Sequence, residues 1–100
     1  MSTLFTVSKS WFDLPSLYEQ IAYATEGDCI LLIQDAVLAM QSPISLASFV
    51  AKAEAKNIQV FALEEDCRLR GIENRYDRVR CIDYAEFVGL VERHSKQIAW

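Results

Sequence analysis

Apolar stretches of strand length alternating with helical stretches predict an α/β fold: a single-domain three-layer sandwich around a mostly parallel sheet of four to five strands. Three observations carry this. Residues 29–33, Cys29-Ile30-Leu31-Leu32-Ile33, form an unbroken apolar run too short for a typical helix. Such a run suits a strand covered on both faces, as in a parallel sheet. The strand-like stretches are separated by amphipathic ones, and parallel neighbours need crossover connections. The chain has 100 residues, enough for one compact domain and too few for two.

Residues 4–7 read as the first strand. Asp13 is the expected N-cap of the first helix, with Pro15 tolerated in its opening turn because the missing N–H has no partner to lose there. Leu14, Leu17, Tyr18, Ile21 and Ala22 fall at helical spacing and form one apolar face. Gly27 is expected to end that helix. Residues 29–33 follow as the second strand, and residues 36–40 as a short helix or a loop. Ser42 and Pro43 restart a helix as cap and first helical residue, with Leu46, Phe49, Val50 and Ala53 inward and Asn57 as the stop.

The third strand is expected over residues 58–63 and a short helix over 65–70, closed by Gly71. Residues 79–82 form the fourth strand, with Arg78 and Arg80 marking it as less buried. Asp83 and Glu86 read as a capping box. Tyr84, Phe87, Val88 and Val91 follow at i, i+3, i+4 and i+7, the spacing of one helical face. Residues 97–100 are apolar and add a short fifth strand.

Composition excludes several functions. Net charge is −4 and the pI about 4.9. A protein that grips nucleic acid alone usually carries a basic patch. The one basic cluster, Arg68, Arg70, Arg75, Arg78 and Arg80, is interspersed with Glu64, Glu65, Asp66, Glu73 and Asp77. It reads as a mixed, solvated surface, so no direct nucleic-acid partner is expected. No stretch approaches the about 20 apolar residues of a membrane-spanning helix. The first residues lack the basic-then-apolar pattern of a secretory signal, so a cytoplasmic protein is expected. With 52% apolar residues in so small a domain, part of the apolar surface is expected at a subunit interface.

Glycine occurs only at positions 27, 71 and 89, which leaves neither a dinucleotide fingerprint nor a phosphate loop. Ser8-Lys9-Ser10 after the first strand lacks the paired acids of a phosphoacceptor domain. The odd cysteine count, at 29, 67 and 81, has no Cys-x-x-Cys and argues against a disulfide framework. The single histidine, His94, leaves too few soft ligands for zinc. No metal and no cofactor are expected.

Cys29 and Cys81 read as small core residues. Cys67 follows three acids, which would raise its pKa, whereas a helix N-terminus would lower it; it is the runner-up nucleophile. His94 reads as a helix C-terminal residue favoured by the dipole, or as an interface hydrogen-bonding residue. Trp100 either folds back on the domain or anchors a partner. Gln34 and Asp35 lie at the carboxyl end of the central strand, where α/β proteins place their sites.

Four segments resemble the TusB/DsrH family. These are Glu26-Gly27-Asp28 leading into Leu31-Leu32-Ile33-Gln34-Asp35; Ala62-Leu63 with Glu65-Asp66 and Arg70-Gly71; Ile82-Asp83-Tyr84 with Phe87-Val88; and His94-Ser95-Lys96-Gln97-Ile98-Ala99-Trp100. The terminal His-Ser-x-Gln-x-x-Trp is the most specific. The resemblance implies a non-catalytic subunit of a cytoplasmic sulfur relay, assembled with two paralogous small subunits, TusC-like and TusD-like, into a heterohexamer. It implies persulfide transfer toward 2-thiouridine at the wobble position of certain tRNAs, with the sulfur-carrying cysteine on a partner. The related DsrEFH-type branch serves sulfur oxidation. Some DsrH-type members carry a cysteine on the first helix, where this chain reads Tyr18-Glu19-Gln20-Ile21-Ala22. Ala36 also stands where a glycine commonly follows the Gln-Asp pair, and alanine there would resist a positive φ. A sulfurtransferase using Cys67 as its own persulfide carrier is the alternative, and self-association of the isolated chain stays open.

Overall fold

The computed structural model describes residues 2–9, 14–73 and 75–100, and for residues 14–16 and 43 the backbone alone. The expected Asp13 cap lies outside the described residues. Five strands, β1 (Thr3–Val7), β2 (Cys29–Leu32), β3 (Gln59–Leu63), β4 (Arg80–Ile82) and β5 (Lys96–Ala99), form one sheet in the order β4-β3-β2-β1-β5. Every pairing is parallel. Among the described residues, four α-helices connect them: α1 (Leu14–Ile21), α2 (Pro43–Ala55), α3 (Glu64–Leu69) and α4 (Tyr84–Arg93). A 3-10 helix, Gln34–Gln41, lies between β2 and α2.

The topology follows from crossover handedness. From β1 to β4 the chain steps steadily in one direction, so right-handed crossovers put α1, α2 and α3 on one face. Returning from β4 to β5, beside β1, puts α4 on the other. Side-chain packing agrees. Phe5, Val7, Ile30, Leu32, Val60 and Ala62 meet α1, α2, α3 and the 3-10 helix in the larger core. Leu4, Cys29, Leu31, Phe61 and Ile82 meet Phe87 and Leu90 of α4 in the smaller one. Alternate residues of each central strand are thus buried on opposite faces, which is why the 29–33 run has no polar member.

Helix ends are set by local chemistry. At the end of α2, Asn57 takes φ +59 while Ile58 N donates to Ala53 O and Asn57 N to Glu54 O. Gly71, with φ +65, ends α3 in the same way: Ile72 N donates to Cys67 O and Gly71 N to Arg68 O. Both are Schellman motifs. The α4 capping box is complete, with Glu86 N on Asp83 Oδ1 at 2.8 Å and Asp83 N on Glu86 Oε1 at 3.3 Å. Ser42 occupies the N-cap of α2 with Pro43 next to it, but its hydroxyl caps nothing; its carbonyl accepts from Leu46 N.

Three expectations need correction. Gly27 does not end α1, which stops at Ile21; its φ of +91 serves the turn into β2 instead. Lys56 terminates α1 from across the fold, its Nζ donating to Ile21 O at 2.9 Å and Ala22 O at 3.1 Å. The positive φ after β2 falls on Gln34 (+51), not on Ala36, which sits buried in the 3-10 helix. Finally, the apolar spacing of α4 divides into two stripes. Phe87 and Leu90 face the sheet, whereas Tyr84, Val88 and Val91 are 61%, 44% and 37% exposed. Residues 84, 88 and 91 cluster on an arc centred about 95° from that of 87 and 90 at 100° per residue, so one sheet contact cannot cover both.

Asp28 is one of two buried polar residues among those described. Its carboxylate accepts from Thr3 N at 2.8 Å and Thr25 N at 2.9 Å, tying the start of β1 to the turn before β2.

Candidate functional site

Parallel strands bring the ends of β2 and β3 to one edge of the sheet, and the Glu64-Glu65-Asp66 run at the start of α3 organises that edge. Each acid holds a different element. Asp66 Oδ2 accepts the Gln34 amide at 2.7 Å. Glu65 Oε2 accepts Tyr84 N, the first residue of α4, at 3.1 Å. Glu64 accepts Arg68 Nε at 2.9 Å and pairs closely with Arg75. The Arg75 hydrogen bond is the chief reason its carboxyl is held below the usual glutamate range; burial opposes it and Arg68 adds to it. Arg70 completes the edge, donating through Nε and Nη2 to Asp35 Oδ1 at 3.2 and 3.1 Å and lying 3.7 Å from Asp66. Gln34, Asp35, Asp66 and Arg70 therefore form one network.

The arginine cluster is neutralised throughout. Arg68, Arg70 and Arg75 bind the acids just named, Arg78 pairs with Glu54, and Arg80 with Glu86 at 2.9 Å. The last two pairs line a cavity of about 290 Å³ with Val50, Phe61 and Arg93.

At the other end of the chain, His94 Nδ1 lies 2.7 Å from the Leu90 carbonyl. A carbonyl only accepts, so this nitrogen carries the proton and satisfies a carbonyl of the last turn of α4. Ser95 donates through both N and Oγ to Ser2 O, at 3.1 and 3.0 Å. Trp100 N donates to Thr6 O at 2.8 Å, and the indole stacks on Phe5 with ring centroids 4.2 Å apart. The His-Ser-x-Gln-x-x-Trp pattern thus fastens β5 to β1, with Trp100 half-buried against the core.

The thiols occupy three environments. Cys29 is buried in the smaller core, and burial pushes its pKa up. Cys67, on α3, is fully buried. Cys81, on the edge strand β4, is half-buried and packs against the same core. The Cys81 thiol is the chief influence that raises Cys67, and Cys67 is the chief influence that lowers Cys81. Burial raises both. The positive charge of Arg75 lowers Cys81 further. The acids preceding Cys67 matter less to its pKa than this partner: Glu64 contributes least among its causes. The sequence signal that would have exposed the pairing is indirect. Cys81 neighbours Ala62 in the β3–β4 register, and α3, carrying Cys67, begins directly after β3.

This is an all-parallel α/β domain whose polar network sits at the carboxyl edge of the sheet, a common place for α/β sites. The DsrH like protein family model matches residues 9–97. Protein TusB of Photorhabdus laumondii subsp. laumondii is 36% identical over 101 residues, covering 97% of this chain and 99% of that protein. Protein TusB of Serratia proteamaculans is 34% identical with the same coverage, and that of Escherichia coli O81 is 38% identical over 77 residues, covering 76% of this chain. The chain belongs to the DsrH-like family. The crystal structure of the ychN protein from E. coli superposes with a TM-score of 0.69 at 20% identity, each chain fully covered, and shows the same fold.

Proposed function

We propose that this chain is the TusB-like, non-catalytic subunit of a cytoplasmic sulfur relay that serves 2-thiolation of tRNA wobble uridine. Its partners would be two related small subunits, TusC-like and TusD-like, in a heterohexamer, with the persulfide cysteine on a partner. The reading takes the whole chain as one DsrH/TusB-like unit. Near-full-length similarity to proteins named TusB supports the branch. The observation that carries the subunit role is the exposed stripe Tyr84, Val88 and Val91 on α4, beside a helix face already packed on the sheet. Apolar side chains clustered on one helix face suit burial in an assembly.

In this reading the carboxyl-edge network of Gln34, Asp35, Asp66 and Arg70 fixes the shape of the loops that neighbour the partner's cysteine. His94 and Trp100 hold β5 in place on β1. The test is affinity purification of tagged chain from its native cells. Two small paralogues should be recovered in equal amounts, and deletion of the gene should remove 2-thiouridine from the affected tRNAs. Recovery of the chain alone, or unchanged thiolation, would refute the proposal.

A further inference from the structure

We propose that the cavity at the amino end of β3 binds a small organic monoanion, a carboxylate on a short apolar chain. The inference is independent of the sulfur-relay reading.

The cavity exists because β4 is short. That strand begins opposite Phe61, so Gln59 and Val60 at the start of β3 have no strand beside them on that side. The helices α2 and α4 flank the sheet from opposite faces and meet round this edge, Val50 and Glu54 from one and Glu86, Leu90 and Arg93 from the other. The gap between them has a volume of about 290 Å³. Its floor is apolar and draws on both cores. Val50, Ile58 and Val60 belong to the larger, and Phe61, Ile82 and Leu90 to the smaller. All six are buried. A concave apolar floor with a few polar groups at its rim is the usual make-up of a small-molecule site.

The rim decides the charge. Three guanidiniums, Arg78, Arg80 and Arg93, line the cavity against two carboxylates, Glu54 and Glu86. Arg78 donates through Nε to Glu54 Oε1 at 2.9 Å, and Arg80 through Nη2 to Glu86 Oε2 at 2.9 Å. Arg93 makes no ion pair among the described residues, which leaves one positive charge over. A guanidinium is a planar fork of donors that matches a carboxylate with two parallel bonds. Both rim pairs are exposed, so they hold their arginines loosely and can share them with an incoming anion. A second negative charge on the ligand would face Glu54 and Glu86, which favours a monoanion over a dicarboxylate or a polyphosphate. The volume holds about ten groups of about 30 Å³ each, the size of octanoate.

The experiment titrates the full chain with octanoate and follows side-chain methyl resonances by NMR. Shifts should saturate at Val50, Ile58, Val60, Ile82 and Leu90, with half-saturation below about 1 mM. Val88 and Val91, on the exposed α4 stripe, should not move. Octan-1-ol keeps the chain without the charge and should bind at least about tenfold more weakly, the worth of a charge-assisted hydrogen bond. Octanedioate, with its second charge, should also bind more weakly than octanoate. Arg93→Gln should weaken octanoate by at least about tenfold, and Arg93→Lys, which keeps the charge but not the fork, by less. The comparison of the three ligands needs no variant to fold. Shifts confined to Val88 and Val91, octan-1-ol or octanedioate binding as tightly as octanoate, full affinity in Arg93→Gln, or no saturable shift would overturn the proposal.

Discussion

Asp66 holds Gln34 in the left-handed region: its carboxylate accepts the Gln34 amide at 2.7 Å while Gln34 sits at φ +51. The two residues are far apart in sequence, Gln34 opening the 3-10 helix that follows β2 and Asp66 lying on α3 directly after β3, so this bond joins the ends of β2 and β3. A non-glycine residue there carries a steric cost, of order 1 kcal/mol. Asp66→Ala should hand this exposed amide over to water and lower stability by about 0.5–1.5 kcal/mol. Gln34→Gly, by contrast, should be near neutral or slightly stabilising, because glycine enters this region freely. Urea titrations of the two variants check both signs.

Acid sensitivity should centre on Glu64. Its carboxyl is held below its ordinary pKa, chiefly by the hydrogen bond from Arg75. The folded state therefore binds this proton less readily than the unfolded chain does. The contribution to stability is fully present above the unfolded pKa, about 4.3, and is lost as pH falls through the lower folded value. Glu64→Gln should cost stability at neutral pH. The gap between wild type and variant should close progressively below about pH 4, where the unfolded carboxyl binds its proton first. Denaturation midpoints at several pH values check this; a gap independent of pH would contradict it.

Trp100 should be a fastener. Truncation to alanine removes the stack on Phe5 and part of the core cover, at a cost of about 2–3 kcal/mol for a half-buried aromatic. The loss should be local. Amide exchange should rise in Lys96–Ala99, where all four residues are exposed, more than in β2 or β3.

The sheet was legible because its residues carry their own signal. The 29–33 run, too short for a typical helix, suits a doubly covered strand, and Asp83 with Glu86 announces α4. What stayed hidden depends on contacts between segments distant in the chain. That Lys56 ends α1, or that Asp66 reaches Gln34, has no local pattern. The spacing of Tyr84, Phe87, Val88 and Val91 announced a helix but not which of them the sheet would take. The Gln34-Asp35 and His94-to-Trp100 segments were visible as motifs; the bonds each makes needed the fold. Cys81 read as an ordinary core thiol because nothing near it in sequence shows that Cys67 and Arg75 influence it.

The exposed α4 stripe gives the sharpest separation between folding and assembly. Val88 is 44% exposed, and Phe87 and Leu90, not Val88, make the contact with the sheet. Val88→Glu should therefore change the stability of the isolated chain by no more than about 0.5 kcal/mol, as for surface substitutions generally. In an assembly that buries this stripe, the same carboxylate would lose its water without gaining a partner, which is costly. Co-purification of the paralogous subunits should fall by at least about tenfold, the effect of roughly 1.4 kcal/mol on binding. Leu90→Ala is the control with the opposite profile: it opens a cavity under α4 and should lower stability by about 2–4 kcal/mol. If Val88→Glu binds the paralogues as wild type does, the assembly uses another face of the domain.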